Sequence, residues 1–180
     1  MRKASLLALL VALILLWAVS PALARGHHRG HASAGVTHLV QKDPMTWDAI
    51  DSGAAGKLKY KLRGFELKVN FKGEKLTPST DYTLIYYPDP WPGKGLICLG
   101  EGVADEAGNL KIKNRAPVTN LPLEGDANYP CGAKIWLVLT SDVDCEGRQM
   151  VGWHPEAYLF QTGLVNFAPV VAVEGPDAAQ

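Results

Sequence analysis

Residues 76–87, with the sequence LTPSTDYTLIYY, decide the fold class of this chain. Proline, serine and aspartate in the first half favour a turn, and the residues from Tyr82 onward favour a strand. Successive side chains of a strand point to opposite faces, and here neither face is strongly polar. The strand is therefore predicted to lie in the middle of a sheet.

Other segments have the same β character. Residues 57–62 and 65–71 alternate polar and apolar side chains, which is typical of strands with one solvent-exposed face. The lysines of this alternation are interpreted as solvent-facing, and an anion-binding face is the alternative. Asp43 and Pro44 suit the start of a short helical turn over residues 43–50. Further strands are predicted at residues 96–103, 110–113, 133–140, 150–153, 158–162 and 164–168.

These elements predict an all-β protein, a two-sheet antiparallel sandwich of about seven or eight strands with a short helical turn near its start. The order Leu-x-Pro-x-Thr-x-Tyr-Thr at residues 76–83 resembles the corner before a central strand in fibronectin type III and related immunoglobulin-like sandwiches. In that corner a tyrosine hydroxyl bonds to upstream backbone. The resemblance implies an immunoglobulin-like sandwich in which Tyr82 is the corner tyrosine.

Two further resemblances concern surface proteins. Residues 102–110, with the sequence GVADEAGNL, are similar to a hairpin of bacterial surface sandwiches in which the aspartate and asparagine cap the turn. Gly108 is expected to supply the positive φ of this turn. The phrases TLIYYPDPWPG and KIWLVLTSDVDC are similar to those of uncharacterised exported prokaryotic proteins. That similarity implies no activity.

The first 24 residues are typical of a secretory signal peptide, with Arg2 and Lys3, an apolar run over residues 6–19 and a small-x-small pattern ending at Ala24. Cleavage after Ala24 predicts a secreted or extracytoplasmic protein without a membrane span, and an uncleaved anchor is the alternative. The predicted organisation is a signal peptide at 1–24, a histidine-rich disordered tail at 25–35, a β-sandwich domain at 36–173 and a disordered tail at 174–180.

Charge and composition exclude some partners. The chain has 18 Lys and Arg against 18 Asp and Glu, and loss of Arg2 and Lys3 with the signal leaves a net charge of −2. Nucleic acid is therefore not an implied partner. His27, His28 and His31 are interpreted as part of a solvated spacer, with a transition-metal site as the alternative.

Three cysteines, Cys98, Cys131 and Cys145, lie in the predicted exported part, where disulfides form. Cys131 and Cys145 flank a predicted strand whose residues, at about 3.3 Å each, hold its ends roughly 30 Å apart. A disulfide allows a Cα separation of only about 4.4 to 6.8 Å, so pairing of Cys131 with Cys145 is disfavoured. The preferred pair is Cys98 with Cys145, the second choice is Cys98 with Cys131, and three buried thiols are the alternative.

An acidic segment, Asp142-x-Asp144-x-Glu146 before Gly147, resembles the first half of an EF-hand loop, where hard oxygens bind calcium. Trp153 stands where a complete loop has its bidentate glutamate, so a full EF-hand is excluded. The segment is interpreted as an acidic turn that leaves a strand. The calcium site that it predicts as the alternative would have few local ligands, and Asp105 and Glu106 would complete it if their hairpin lies at the same end.

Three loop aromatics are the candidate binding residues: Trp91, Trp153 and Tyr129, the last within a long irregular connection at residues 114–132. Each can stack on a sugar or fill a partner's pocket, and the alternative is a lid over the protein's own core. No G-x-S-x-G, H-E-x-x-H or P-loop motif occurs, and His154 has no partner that sequence can name.

The primary hypothesis is an exported, non-enzymatic β-sandwich that binds an extracellular protein or glycan, or contributes to an extracellular assembly, through its loops. A secreted hydrolase that uses a carboxylate pair is one alternative. A purely structural cell-surface module is the other. No cofactor is expected apart from the possible calcium ion.

Overall fold

The structure, a computed structural model, describes residues 33–118 and 121–165. Among these residues no helix is long and apolar enough to cross a membrane. The predicted signal peptide, the three histidines that follow it and the C-terminal tail lie outside the described residues. The strands are β1 (Ser33–Val40), β2 (Ala55–Arg63), β3 (Glu66–Glu74), β4 (Asp81–Tyr87), β5 (Ile97–Val103), β6 (Leu110–Pro117), β7 (Lys134–Leu139), β8 (Val143–Asp144), β9 (Gln149–Met150) and β10 (Leu159–Gln161), with 3-10 turns at Thr140–Asp142 and Pro155–Ala157.

Eight of the strands form one antiparallel sheet in the order β5-β4-β7-β10-β1-β2-β3-β6, and β8 pairs with β9 in a separate hairpin. The end strands of the sheet approach each other. Nδ2 of Asn114 in β6 donates a hydrogen bond to the carbonyl oxygen of Leu99 in β5, at 2.9 Å. A β-carbon on Gly100 would lie 2.8 Å from Cγ2 of Ile112, closer than such atoms approach. The sheet therefore curls until it is nearly a barrel.

The interior of the curled sheet is the main hydrophobic core. β2 and β3 send every second side chain inward, as their alternating sequences predict. The other strands of the sheet add both aliphatic and aromatic side chains. The largest fully buried members of this core are Leu39, Leu58, Leu67, Phe71, Tyr82, Leu84, Tyr86, Leu99 and Ile112.

A second core lies on the outer face of β4, β7 and β10. Ile85 and Tyr87 come from β4, and Trp136 comes from β7. The β8–β9 hairpin covers these side chains with Val143 and Met150. β4 carries buried side chains on both faces, so another layer covers each face. Its two edges are paired with β5 and β7.

The all-β architecture and the position of β4 within the sheet are confirmed. The eight strands are hydrogen-bonded into one sheet, so the two-sheet arrangement is not confirmed and stays a prediction. The local features that suggested it are present. The hydroxyl of Tyr82 accepts a hydrogen bond from the backbone N–H of Thr77 at 3.3 Å, and Oδ1 of Asp105 accepts one from the N–H of Asn109 at 2.7 Å. Gly108 has a φ of 75°, as the hairpin requires.

At residues 43–50, where a helical turn is predicted, the capping hydrogen bonds are present but no helix forms. Oδ1 of Asp43 accepts hydrogen bonds from the N–H groups of Met45 and Thr46, at 2.7 and 3.0 Å. Trp47 then adopts a φ of 64°, which is incompatible with a right-handed helix. The segment instead forms a turn at residues 44–46 and an isolated bridge between Lys42 and Ala49. This conformation directs Trp47 back onto the sheet.

Several boundaries differ from their predictions, among them that of the strand predicted at residues 150–153, which is found at Gln149–Met150. β1 begins at Ser33, inside the predicted tail, because its backbone pairs with β2 over its whole length. β6 continues to Pro117, so the irregular connection is shorter than residues 114–132. Of the last predicted strand, at residues 164–168, Val165 forms an isolated bridge with Ala133, and residues 166–168 lie outside the described residues.

Candidate functional site

Three partly exposed tryptophans, Trp47, Trp91 and Trp153, form a contiguous surface that we call the tryptophan patch. Their exposed fractions are 46%, 52% and 40%. Trp153 lies between the other two, with its ring centroid 5.5 Å from that of Trp91 and 6.3 Å from that of Trp47. Its ring plane is inclined by 76° to Trp91 and by 37° to Trp47. The patch is therefore an angled surface with a corner between Trp91 and Trp153.

The patch rests on aromatic side chains of the sheet. Trp136 in β7 and Phe160 in β10 are cross-strand partners, with ring centroids 5.1 Å apart and an edge-to-face angle of 76°. Trp153 lies 6.2 Å from Trp136, and Trp47 lies 5.3 Å from Phe160. Because both supports belong to paired strands of one sheet, the exposed rings have a rigid base.

Backbone hydrogen bonds hold the loops that present these rings. The N–H of Trp47 donates to the carbonyl oxygen of Asp43 at 2.8 Å, which closes the first turn. The loop of Trp91 is tied to β9 by a bond from the N–H of Met150 to the carbonyl oxygen of Pro92, also at 2.8 Å. Trp153 follows β9 directly. The β8–β9 hairpin thus positions two of the three tryptophans.

A buried carboxylate lies beside Trp153. Oδ2 of Asp142 is 2.8 Å from Nδ1 of His154 and also accepts a hydrogen bond from the hydroxyl of Tyr158. The same hydroxyl accepts a bond from the backbone N–H of His154 at 3.1 Å. The Asp142 side chain is 4% exposed and that of His154 is 56% exposed. A β-carbon on Gly152 would collide with the Asp142 carboxylate, so glycine is needed there.

This arrangement shifts two pKa values upward. The hydrogen bond and charge of Asp142 raise the pKa of His154 above its ordinary value. Burial is the main cause that raises the pKa of Tyr158, and its bond to Asp142 adds to the effect. Asp142 thus favours a proton on both of its partners.

His154 predicts a pH-dependent contribution to stability. Because its folded-state pKa is raised, the stabilisation is fully present below the unfolded pKa and is lost as the pH rises through the folded one. We expect the difference in unfolding midpoint between the wild type and His154→Gln to be larger at about pH 5.5 than at about pH 8.5. Thermal melts at both pH values measure it.

His38→Gln is the matched control, since His38 is exposed on β1 and has no ion pair among the described residues. Its change in midpoint is the reference against which the pH dependence of His154→Gln is measured. A change for His154→Gln that depends on pH no more than this reference would contradict the role assigned to Asp142.

A second polar network anchors the connection that precedes β7. The buried carboxylate of Asp126 accepts a hydrogen bond from the hydroxyl of Tyr86 at 2.6 Å. Nδ2 of Asn128 donates to both Asp126 and Asp89, each at 2.9 Å, and Lys134 forms an ion pair with Asp89. Burial raises the pKa of Tyr86. Asp89 and Asp126 are therefore a close carboxylate pair, but their oxygens are used to hold two loops together.

The residues of the predicted calcium segment are not gathered at one point. The Asp142 carboxylate is engaged by His154 and Tyr158, while Oδ1 of Asp144 accepts a bond from the N–H of Gly147 at 2.8 Å, as in an ordinary turn. Glu146 is exposed. Over residues 33–118 and 121–165 no group of three or more His, Cys, Asp or Glu is arranged to hold a metal ion. The calcium site stays a prediction.

The predicted binding aromatics fall into two groups. Trp91 and Trp153 are brought into contact, as described above. Tyr129 is half exposed, and no ring contact joins it to the tryptophan patch within the described part of the chain. The predicted pair of Cys98 and Cys145 is confirmed, with a Cα separation of 5.7 Å, and Cys131 is free and exposed.

Sequence reasoning missed two members of this site. Trp47 lies in the predicted helical turn, and its partners, Trp153 and Phe160, are more than a hundred residues away along the chain. The partner of His154 is Asp142, whose spacing with Asp144 and Glu146 predicts a metal site instead. Comparison of the chain with protein-family models, with curated proteins and with solved structures finds no significant match.

Proposed function

We propose that this protein is an exported, non-enzymatic binding module and that its recognition surface is the tryptophan patch. The observation that supports the proposal is the contact of three tryptophans from three loops, each between 40% and 52% exposed, over a rigid aromatic base. Tryptophan is enriched among the residues that dominate binding energies at protein interfaces. Export rests on the predicted signal peptide, and the immunoglobulin-like classification rests on the tyrosine corner.

A protein partner fits this surface better than a glycan. The loops of the patch also expose large aliphatic side chains, those of Met45, Ile50 and Val151. Covering such side chains contributes about 25 cal/mol per Å² of apolar area removed from water. The rings of Trp91 and Trp153 meet at 76°, a corner that suits an inserted apolar side chain, whereas a sugar chain stacks on flat, extended faces.

The alternatives have less support. A hydrolase would need two free carboxylates facing a cleft, but Asp89 and Asp126 are bonded to Asn128 and Lys134. A purely structural module would not need exposed tryptophans. A calcium ion bound by Asp142, Asp144 and Glu146 would require Asp142 to leave His154.

Site-specific photocrosslinking tests the proposal. We expect a photoreactive phenylalanine derivative at position 91 or 153 to form a discrete adduct with one protein of the native envelope. The same group at position 65 is the matched control, because Phe65 is also an exposed aromatic, on the distant β2–β3 turn. With that partner purified, Trp91→Ala and Trp153→Ala should each weaken binding by at least about tenfold, and Phe65→Ala should not.

Two outcomes would overturn the assignment. Equal adducts from positions 65 and 91 would mean that the patch has no special role. No protein adduct, together with a change of tryptophan emission on addition of envelope oligosaccharides, would make the ligand a glycan. Circular dichroism of each variant verifies that the fold is retained.

A further inference from the structure

A dense cationic surface lies on the opposite part of the sheet, away from the tryptophan patch. It is formed by the outward side chains of β2, β3 and β6, of which the charged ones are exposed and Asn70, at the centre, is half-buried. Two carboxylates, Glu66 and Glu74, lie at the ends of β3 on the same face. We call the surface the cationic face, and its positive members are Lys57, Lys59, Lys61, Arg63, Lys68, Lys72, Lys111, Lys113 and Arg115.

The strand register places like charges directly opposite each other. Lys72 in β3 pairs with Lys57 on one side and with Lys111 on the other. Lys68 likewise lies between Lys61 and Arg115. Each of these two sets of three cations forms a row across the sheet. Like charges at opposed positions destabilise an antiparallel sheet, so the rows lower the stability of the fold.

Few acidic groups compensate this charge. The face holds nine of the 18 Lys and Arg of the chain but only two of the 18 Asp and Glu. Arg115 forms an ion pair with Glu66 at 2.9 Å, and the other eight cations form none among the described residues. At the borders, Asp105 and Lys111 line one surface cleft, and Glu101 and Lys113 line another. The remainder of the sequence, with nine cations and 16 acids, is correspondingly negative.

Protection of a sheet edge explains the cations of β6 but not those of β2 and β3. Lysine on an edge strand prevents pairing with another chain, which accounts for β6. β2 and β3 each have a strand on both sides, so their backbone groups are already paired. Solubility does not explain them either, because charges of both signs in a mixture would serve that purpose without opposed lysines.

We propose that the cationic face binds an acidic polysaccharide that wraps around the outside of the curled sheet. The face extends over three neighbouring strands of a nearly closed eight-stranded sheet, so it is convex. A flexible polyanion can follow this curvature, whereas a flat bilayer reaches only part of it. The rows contain no aromatic side chain, which single-stranded nucleic acids use for stacking. Seven of the nine cations are lysines, which act as point charges on a repeating anionic chain.

Binding of labelled dextran sulfate by the purified protein tests this proposal, with neutral dextran of the same length as the reference. We expect binding of the sulfated polymer alone, with an affinity that falls steeply as salt rises. Lys57→Gln/Lys72→Gln/Lys111→Gln, which removes one row, should weaken binding at least about tenfold at low salt. The matched control, Lys42→Gln/Lys75→Gln/Lys94→Gln, has the same charge change outside the face and should stay within about twofold.

Three results would overturn the proposal. Equal losses in both triple variants would mean that only net charge matters. Tighter binding of a thymidine oligonucleotide of equal charge would indicate a nucleic-acid surface. Row-dependent sedimentation with vesicles containing phosphatidylglycerol, without binding of dextran sulfate, would indicate a membrane surface. Thermal melts identify any variant that does not fold.

Discussion

Replacing Cys98 and Cys145 together by serine is expected to lower the free energy of unfolding by about 4 kcal/mol. The disulfide closes a loop of 47 residues, and a cross-link over that length restricts the unfolded chain by about this amount. It also joins β5, at one end of the sheet, to the turn of the β8–β9 hairpin. Urea unfolding of the oxidised wild type and the double variant measures the difference.

Cys131→Ser is the matched control for this prediction. Cys131 is exposed and free, so its replacement should change the free energy of unfolding by less than about 0.5 kcal/mol. A double variant as stable as the control would show that the cross-link contributes nothing to the native state. Reducing agent should lower the stability of the wild type and of Cys131→Ser, and leave that of the double variant unchanged.

The parts of the fold that depend on residues close together in the chain are predictable from the sequence. The alternation in β2 and β3, the corner at Tyr82 and the Asp105 hairpin each depend on residues within one or two turns of the chain. The lysines of β2 and β3 were predicted to be solvent-facing, and they are exposed. That the lysines of β3 lie directly opposite the cations of β6 depends on the register between the two strands. The alternation within one strand does not reveal this register.

The remaining features depend on contacts between distant segments. β1, with the sequence SAGVTHLV, has few large apolar residues, and its pairing with β2 and β10 makes it a strand. The closure of the sheet depends on the approach of β5 to β6. The same holds for the candidate site, where loops from the beginning, middle and end of the described chain bring three tryptophans together. Spacing along the sequence contains no signal for such an assembly.

Trp136→Ala is expected to lower the free energy of unfolding by about 3 to 5 kcal/mol, the usual cost of removing a large buried aromatic side chain. Trp136 is 7% exposed and stacks on Tyr87, with ring centroids 3.9 Å apart and planes 13° apart. Burial raises the pKa of Tyr87 to about 12, which agrees with a closely packed environment. Urea unfolding followed by circular dichroism measures the loss.

Trp91→Ala is the matched control, because Trp91 is 52% exposed and its removal should cost less than about 1 kcal/mol. The two substitutions should therefore separate stability from recognition: Trp136→Ala lowers stability, and Trp91→Ala weakens binding in a folded protein. If Trp91→Ala destabilised the fold as much as Trp136→Ala, the exposed ring would be a lid over the second core. The tryptophan patch would then be part of the packing that joins the β8–β9 hairpin to the sheet, and its role in recognition would be lost.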